Sequence, residues 1–107
     1  MSPDERIKEL KEQGYISGVM AGKLIRMLMQ EFREDIPCSS SYKWSKLYQH
    51  LMDNAKKFVI AEQVDVYGTI RWYYNKNDLL SWLDIKFNDS YWLKRHFGPD
   101  RKAAEKC

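Results

Sequence analysis

The spacing of apolar residues along the chain predicts a mostly helical protein that contains a single β-hairpin. The first helix begins at Ser2 as its N-cap, with Pro3 in the first helical position, and ends at Gly14. A second helix is predicted from Ser17 to about Arg33, and its apolar stripe is wide. Because so wide a stripe must be buried on more than one side, this helix is predicted to be central to the core.

The third predicted helix, residues 41–54, has two chemically different faces. Its apolar face contains residues at i, i+3, i+4 and i+7, namely Trp44, Leu47, Tyr48 and Leu51. Its opposite face is polar and basic and contains Lys43, Lys46, Gln49 and His50. Ser40 and Ser41 are candidate N-cap residues, and Lys56 and Lys57 follow the carboxyl end. The pattern therefore predicts an amphipathic helix with a positively charged outer face.

Alternating apolar and polar residues after this helix predict the hairpin, and two turns are compatible with it. A two-residue loop at 67–68 would pair Val64 with Arg71 and would mix apolar and polar side chains on each face. A three-residue loop at 66–68 pairs Val64 with Ile70 and keeps the apolar residues together, so we expect this register. The hairpin, residues 58–75, then has a solvent face that carries Gln63, Arg71 and Tyr73.

The remainder of the chain predicts further helical segments and sets the domain organisation. Polar residues at 75–78 end the hairpin and cap a fourth helix, and residues 91–97 form a short fifth segment. We expect one domain over residues 1–98 and a flexible tail over 99–107. The expected fold class is α+β, mostly helical, with a three-helix core, one β-hairpin and carboxy-terminal helices.

Charge is distributed unevenly along the 107 residues, whose net charge is +3. Residues 42–76 hold six Lys or Arg against three Asp or Glu, and residues 90–107 hold five against two. The pI of about 8.8 is below the value above 9 that is typical of strongly basic nucleic-acid binders. The resulting patchy basic surface permits a nucleic-acid partner without requiring one.

The cysteine and histidine content argues against a metal site. Cys38 and Cys107 are too few for a disulfide framework, and His50 and His96 lie far apart without other ligands at metal-binding spacing. No apolar run is long enough to span a membrane, and the amino terminus lacks the features of a secretory signal. We therefore expect an intracellular, cytoplasmic protein with reduced thiols, no cofactor and no metal.

Catalytic constellations are not evident in the sequence. The glycines form no phosphate-binding loop, and no Ser, Cys or Lys stands with a base and an orienting acid as an activated nucleophile requires. The expectation is a protein that is not an enzyme and has no evident small-molecule substrate.

The stretch SSSYKWSKLYQHLMDNAKKFVIAEQVDVYGTIRWYY, within residues 16–76, resembles the recognition helix and wing of winged helix-turn-helix DNA-binding proteins. The resemblance implies that helix 41–54 enters the major groove of duplex DNA and that the hairpin lies beside it as a wing. It implies that DNA is contacted by Ser40, Ser41, Lys43, Lys46, Gln49, His50, Lys56, Lys57, Gln63, Arg71 and Tyr73. Each of these residues alone is better explained by solvation of a surface, whereas the combination favours DNA binding.

A second class of function, a protein-interaction module, is also compatible with the sequence. Aromatic residues are concentrated near the carboxyl terminus, where Tyr91, Trp92 and Phe97 occupy a segment too short to bury all of them. This segment could serve a homodimer that reads a palindromic DNA site, or docking onto another protein. Salt distinguishes the two functions, because counterion release makes DNA affinity fall steeply with salt.

Overall fold

The computed structural model describes residues 2–32 and 41–89, except for the side chains of 41–43. Its elements are, in chain order, α1 (Pro3–Glu12), β1 (Tyr15–Ser17), α2 (Gly18–Glu31), α3 (Ser41–Phe58), β2 (Ala61–Val66), β3 (Thr69–Asn75) and α4 (Lys76–Phe87). The fold class is α+β and mostly helical, which confirms the expectation from the sequence. The predicted segment 91–97 and the tail 99–107 lie outside the described residues.

Three of the helices begin at side-chain caps that the sequence marks. The cap distances are 3.2 Å from Glu5 N to Ser2 Oγ, 3.3 Å from Met20 N to Ser17 Oγ, and 3.0 Å from Asp78 N to Asn75 Oδ1. Each cap oxygen accepts a bond from an amide that has no partner inside its helix. The predicted starts of α1, α2 and α4 are therefore confirmed.

Helix α3 is longer than the sequence predicted, because it continues to Phe58. Leu51, Ala55 and Val59 are all buried, so the apolar face repeats every four residues beyond the predicted end at residue 54. Asn54 does not end the helix; its Nδ2 atom donates to the His50 carbonyl oxygen at 2.7 Å. The hairpin consequently begins at Ala61 rather than at residue 58.

The sheet contains a strand that the sequence did not predict. Strand β1 pairs antiparallel with β3, placing Ile16 opposite Tyr74, and the order in the sheet is β1-β3-β2. Three residues are too few to produce a recognisable alternation, and the strand exists because β3 offers it a paired edge. Among the described residues, α1 is thereby tied to the same sheet as the hairpin.

The hairpin has the two-residue loop, so the expected three-residue register is wrong. Val66 pairs with Thr69 and Val64 with Arg71 across a turn made of Tyr67 and Gly68. Both turn residues have positive φ, 51° and 89°, as a type I′ turn requires. This turn has the same twist as the flanking strands, which favours it over the longer loop.

Mixed faces carry no penalty in this hairpin because both sides of the sheet are covered. On one side Val64 and Tyr73 form a small buried cluster with Leu10 of α1. On the other side Tyr74 belongs to the main core, with Trp72 packed against it. The three-residue register is favoured only in a sheet with a single buried face, and this sheet is buried on both.

The new register corrects two predicted positions on the hairpin. Tyr73 is only 4% exposed, so the prediction that it faces solvent is wrong. Gln63 and Arg71 are both exposed, but Gln63 pairs with Trp72 while Arg71 pairs with Val64. Adjacent residues of a strand point to opposite faces, so Gln63 and Arg71 do not share the predicted solvent face.

The main core is built by α2, α3 and α4 against the sheet. Fully buried residues from the three helices are Ala21, Ile25, Met29, Leu47, Leu51, Leu79 and Leu83. The rings of Phe32 and Phe87 stack with centroids 5.3 Å apart and join the ends of α2 and α4. The predicted core of the first three helices, with the fourth as a carboxy-terminal addition, is therefore wrong: among the described residues α2, α3 and α4 form the core, and α1 packs on the opposite side of the sheet.

The strained turn leads to a prediction about stability. Tyr67 is 84% exposed and its φ is 51°, a conformation that asparagine adopts more readily than tyrosine. Tyr67→Asn is expected to raise the free energy of unfolding by about 1 kcal/mol, measured by urea denaturation. Tyr67→Phe keeps the backbone preference and is the control. If both variants have the same stability, the positive φ at residue 67 is refuted.

Candidate functional site

The outward side of α3 carries the predicted polar face. Lys46, Gln49, Asp53 and Lys57 are exposed there, and His50 is half-buried. The Gln49 amide donates to the Asp53 carboxylate at 3.0 Å, a hydrogen bond between adjacent turns of the helix. Lys46 and Lys57 are thus placed on a face that also contains one negative charge.

Part of the predicted DNA-binding set has no described side chain. Ser40 lies outside the described residues, and Ser41 and Lys43 are described only as part of the α3 backbone. Their roles stay predictions, as do those of Tyr91, Trp92 and Phe97, which also lie outside the described residues.

A cleft with a volume of about 600 Å³ opens beside the carboxyl half of α3. Side chains from α1, α3 and β3 surround it, together with the junction between β1 and α2. Its charged and aromatic lining consists of Lys11, Lys56, Arg71, Trp72, Tyr73 and Tyr74. We call this feature the cationic cleft.

The cationic cleft concentrates positive charge without compensation. None of the described residues that line it is acidic. Within residues 2–32 and 41–89, Lys11 and Arg71 make no ion pair and no side-chain hydrogen bond. The Lys56 Nζ atom lies 5.9 Å from the centre of the Trp72 ring, close enough for a weak cation–π interaction.

Arg6, five residues before Lys11 on the same helix, shows the opposite arrangement. Its guanidinium contacts Glu9 at 3.0 Å and also contacts Glu62 of β2. The hydrogen bond from Arg6 to Glu62 raises the pKa of Arg6 above its ordinary value. The fold thus neutralises Arg6 and leaves Lys11 at the cationic cleft.

The aromatic wall of the cationic cleft is continuous with the protein interior. The rings of Trp72 and Tyr74 lie 6.3 Å apart and are inclined by 19°. Burial raises the pKa of Tyr74, because its ionised form would lose hydration. The cleft is therefore lined by both aromatic rings and cationic side chains.

The structure brings together three of the predicted residues at the cationic cleft, Lys56, Arg71 and the buried Tyr73, and adds Lys11, which the sequence did not indicate. Lys56 and Arg71 meet at the cationic cleft, whereas Gln63 lines neither this cleft nor its wall. Lys11 was missed because its position depends on α1 docking against the sheet through β1. A lysine in the last turn of a helix otherwise indicates only a favourable interaction with the helix end.

A smaller cavity of about 360 Å³ lies between α2 and α3. The Arg26 guanidinium at its edge sits 4.4 Å from the centre of the Tyr48 ring. Because this cation already faces an aromatic partner, the cavity offers less uncompensated charge than the cationic cleft.

Three further findings concern metal ligands, membrane-spanning helices and similarity to known proteins. No group of three or more His, Cys, Asp or Glu within residues 2–32 and 41–89 could hold a metal ion. In the same part of the chain, no helix has the length and apolar character needed to cross a membrane. No protein-family model matches this chain, and no curated protein or solved structure matches it.

Proposed function

We propose that the protein binds duplex DNA without catalysing a reaction, with α3 in the major groove and the β2–β3 hairpin beside it as a wing. The observation that carries the proposal is the placement of charge around α3. Lys56 and Lys57 are exposed at its carboxyl end, and Arg71 of β3 lines the same cleft as Lys56. Lys56 and Arg71 come from α3 and β3 and line a cleft whose described lining is free of carboxylates.

The contacts available to such a surface follow from the chemistry of the side chains. Lysine and arginine neutralise phosphates and supply most of the affinity, with little dependence on sequence. Gln49 is suited to pairing with adenine, provided that its amide exchanges Asp53 for a base edge. Sequence reading by α3 would thus compete with a hydrogen bond made in the free protein.

The corrected register narrows the proposed contact surface of the wing. Arg71 is exposed and remains a candidate for a phosphate contact. Tyr73 is withdrawn from the set because it is buried beneath α1. Gln63 is exposed on the other face of the hairpin and does not line the cationic cleft.

Removal of the two lysines at the end of α3 tests the proposal. Lys56→Ala/Lys57→Ala is expected to weaken binding to a mixed-sequence duplex by about tenfold at low salt. It should also reduce the slope of log affinity against log salt by about two, one for each lost phosphate contact. Fluorescence anisotropy of a labelled duplex between low and moderate salt measures both quantities.

The matched control is Lys8→Ala/Lys76→Ala, which removes the same charge from exposed positions on α1 and α4. This variant is expected to bind almost as tightly as the parent. Equal losses in the two variants would contradict the proposed surface, and binding by the parent that does not respond to salt would contradict DNA binding itself. The predicted homodimer through Tyr91, Trp92 and Phe97 stays a prediction, as does docking of that segment onto another protein.

A further inference from the structure

The cationic cleft has the dimensions of a small-molecule site. Its volume of about 600 Å³ falls within the range of roughly 300–1,000 Å³ that is usual for ligand pockets. Its walls come from helices and strands rather than from long loops, so its shape is set by the fold. The cleft is partly open to solvent, so a small molecule can enter it without a rearrangement of the fold.

The positive charges around the cationic cleft favour an anionic ligand. Lys11, Lys56 and Arg71 come from three separate elements, and like charges that converge in this way repel one another. A phosphate monoester carries a charge between −1.5 and −2 near neutral pH and accepts hydrogen bonds through three oxygens. Such a group would neutralise most of the excess charge, and arginine is well suited to hold it.

The apolar part of the lining favours a ligand in which the anion is attached to an apolar group. Trp72 and Met52 are half-buried in the wall, and Val19 is 72% exposed at the cleft. Contact of these apolar surfaces with water is unfavourable, whereas a planar ring can pack against them. An inorganic anion would leave this surface uncovered.

We propose that the cationic cleft binds a small phosphate monoester that carries a planar ring, of the size of a nucleoside monophosphate. The phosphate contacts Lys11 and Arg71, and the ring lies against Trp72 and Met52. Lys56 flanks the indole and approaches the phosphate from the α3 side. Binding of this ligand does not require the proposed DNA binding, but the two surfaces share Lys56 and Arg71.

Gly18 provides a way to block the cationic cleft without changing its charge. It is the first residue of α2 and lines the cleft beside Trp72. A Cβ atom added there would lie 3.8 Å from the Trp72 carbonyl oxygen, an ordinary van der Waals distance. The backbone therefore tolerates a side chain at this position, and a leucine would occupy space inside the cleft.

Titration of the ¹⁵N-labelled full chain, followed by amide NMR, tests the site. The probes are the four nucleoside monophosphates, with adenosine as a ring without charge and inorganic phosphate as a charge without ring. Saturable shifts are expected at Gly18, Arg71 and Trp72 for at least one monophosphate. Adenosine and inorganic phosphate should each bind at least about tenfold more weakly, because adenosine lacks the phosphate contacts and inorganic phosphate lacks the ring contacts.

Three variants locate the binding. Arg71→Ala and Lys11→Ala should each raise the Kd for the monophosphate about tenfold, since each removes a charge-assisted contact. Gly18→Leu should abolish the saturable shifts although it removes no cation, because its side chain occupies the cleft. Lys8→Ala removes an exposed charge on α1 outside the cleft and should leave the Kd unaltered.

Several outcomes would overturn the proposal. These are the absence of saturable shifts at Gly18, Arg71 and Trp72 with every monophosphate at about 10 mM, or adenosine binding as tightly as the monophosphates. Unchanged binding in a folded Gly18→Leu variant would also overturn it. If Gly18→Leu fails to fold, an unchanged Kd in Arg71→Ala decides against the site. None of these results depends on whether the parent binds DNA.

Discussion

Tyr73→Ala is expected to lower the free energy of unfolding by about 3–5 kcal/mol, the usual cost of removing a large aromatic side chain from a core. The side chain is 4% exposed and packs with Leu10 of α1 and Val64 of β2. Its loss would leave a cavity between α1 and the sheet, since the backbone on both sides is held by other contacts. Urea denaturation of the variant and the parent measures the difference.

Two substitutions isolate the contribution of burial at Tyr73. Tyr73→Phe keeps the ring and should cost far less than Tyr73→Ala. Tyr67→Ala removes the same side chain from a position that is 84% exposed, and should change stability by no more than about 0.5 kcal/mol. A Tyr73→Ala variant as stable as Tyr67→Ala would support the three-residue turn, in which Tyr73 faces solvent, and would refute the two-sided sheet.

Leu83→Ala tests whether α4 belongs to the core. Leu83 is fully buried in the cluster that α4 shares with α2 and α3. Its truncation is expected to lower the free energy of unfolding by about 2–5 kcal/mol and to do so in one cooperative transition. Loss of unfolding cooperativity, or a separate early transition, would show instead that α4 is an appendage that unfolds by itself.

The control for Leu83→Ala lies two residues away on the same helix. Ile85 is 67% exposed, so Ile85→Ala removes a similar apolar volume without creating a cavity. Both substitutions introduce alanine, and leucine and isoleucine differ in helix propensity by only about a few tenths of a kcal/mol, well below the loss expected from a cavity. Equal stabilities of Leu83→Ala and Ile85→Ala would contradict the packing of α4.

Local sequence signals predicted the helices well because their causes are local. Ser2 and Asn75 cap helices through bonds to amides only three residues away. The apolar face of α3 follows from the helical period, and its true end at Phe58 was also encoded, in the continued spacing of Leu51, Ala55 and Val59. The predicted helix was too short because Lys56 and Lys57 are also typical of the residues that follow a helix end.

The hairpin shows where local reasoning fails. The preferred register kept all apolar residues on one face, a sound criterion for a sheet with one solvated side. Here α1 covers the second side, so Tyr73 and Tyr74 are both buried although they are adjacent and point in opposite directions. The turn geometry at Tyr67 and Gly68 then determines the register, and both residues adopt positive φ.

The sequence by itself determined the α+β, mostly helical class, the starts of three helices, the polar face of α3 and the existence of the hairpin. These features depend on contacts between residues a few positions apart. Only the tertiary structure decided the pairing of β1 with β3, the two covered sides of the sheet and the meeting of Lys11 with Lys56 and Arg71. Those contacts join residues tens of positions apart, and their geometry is set by how α1 and the α2–α4 core pack on the sheet.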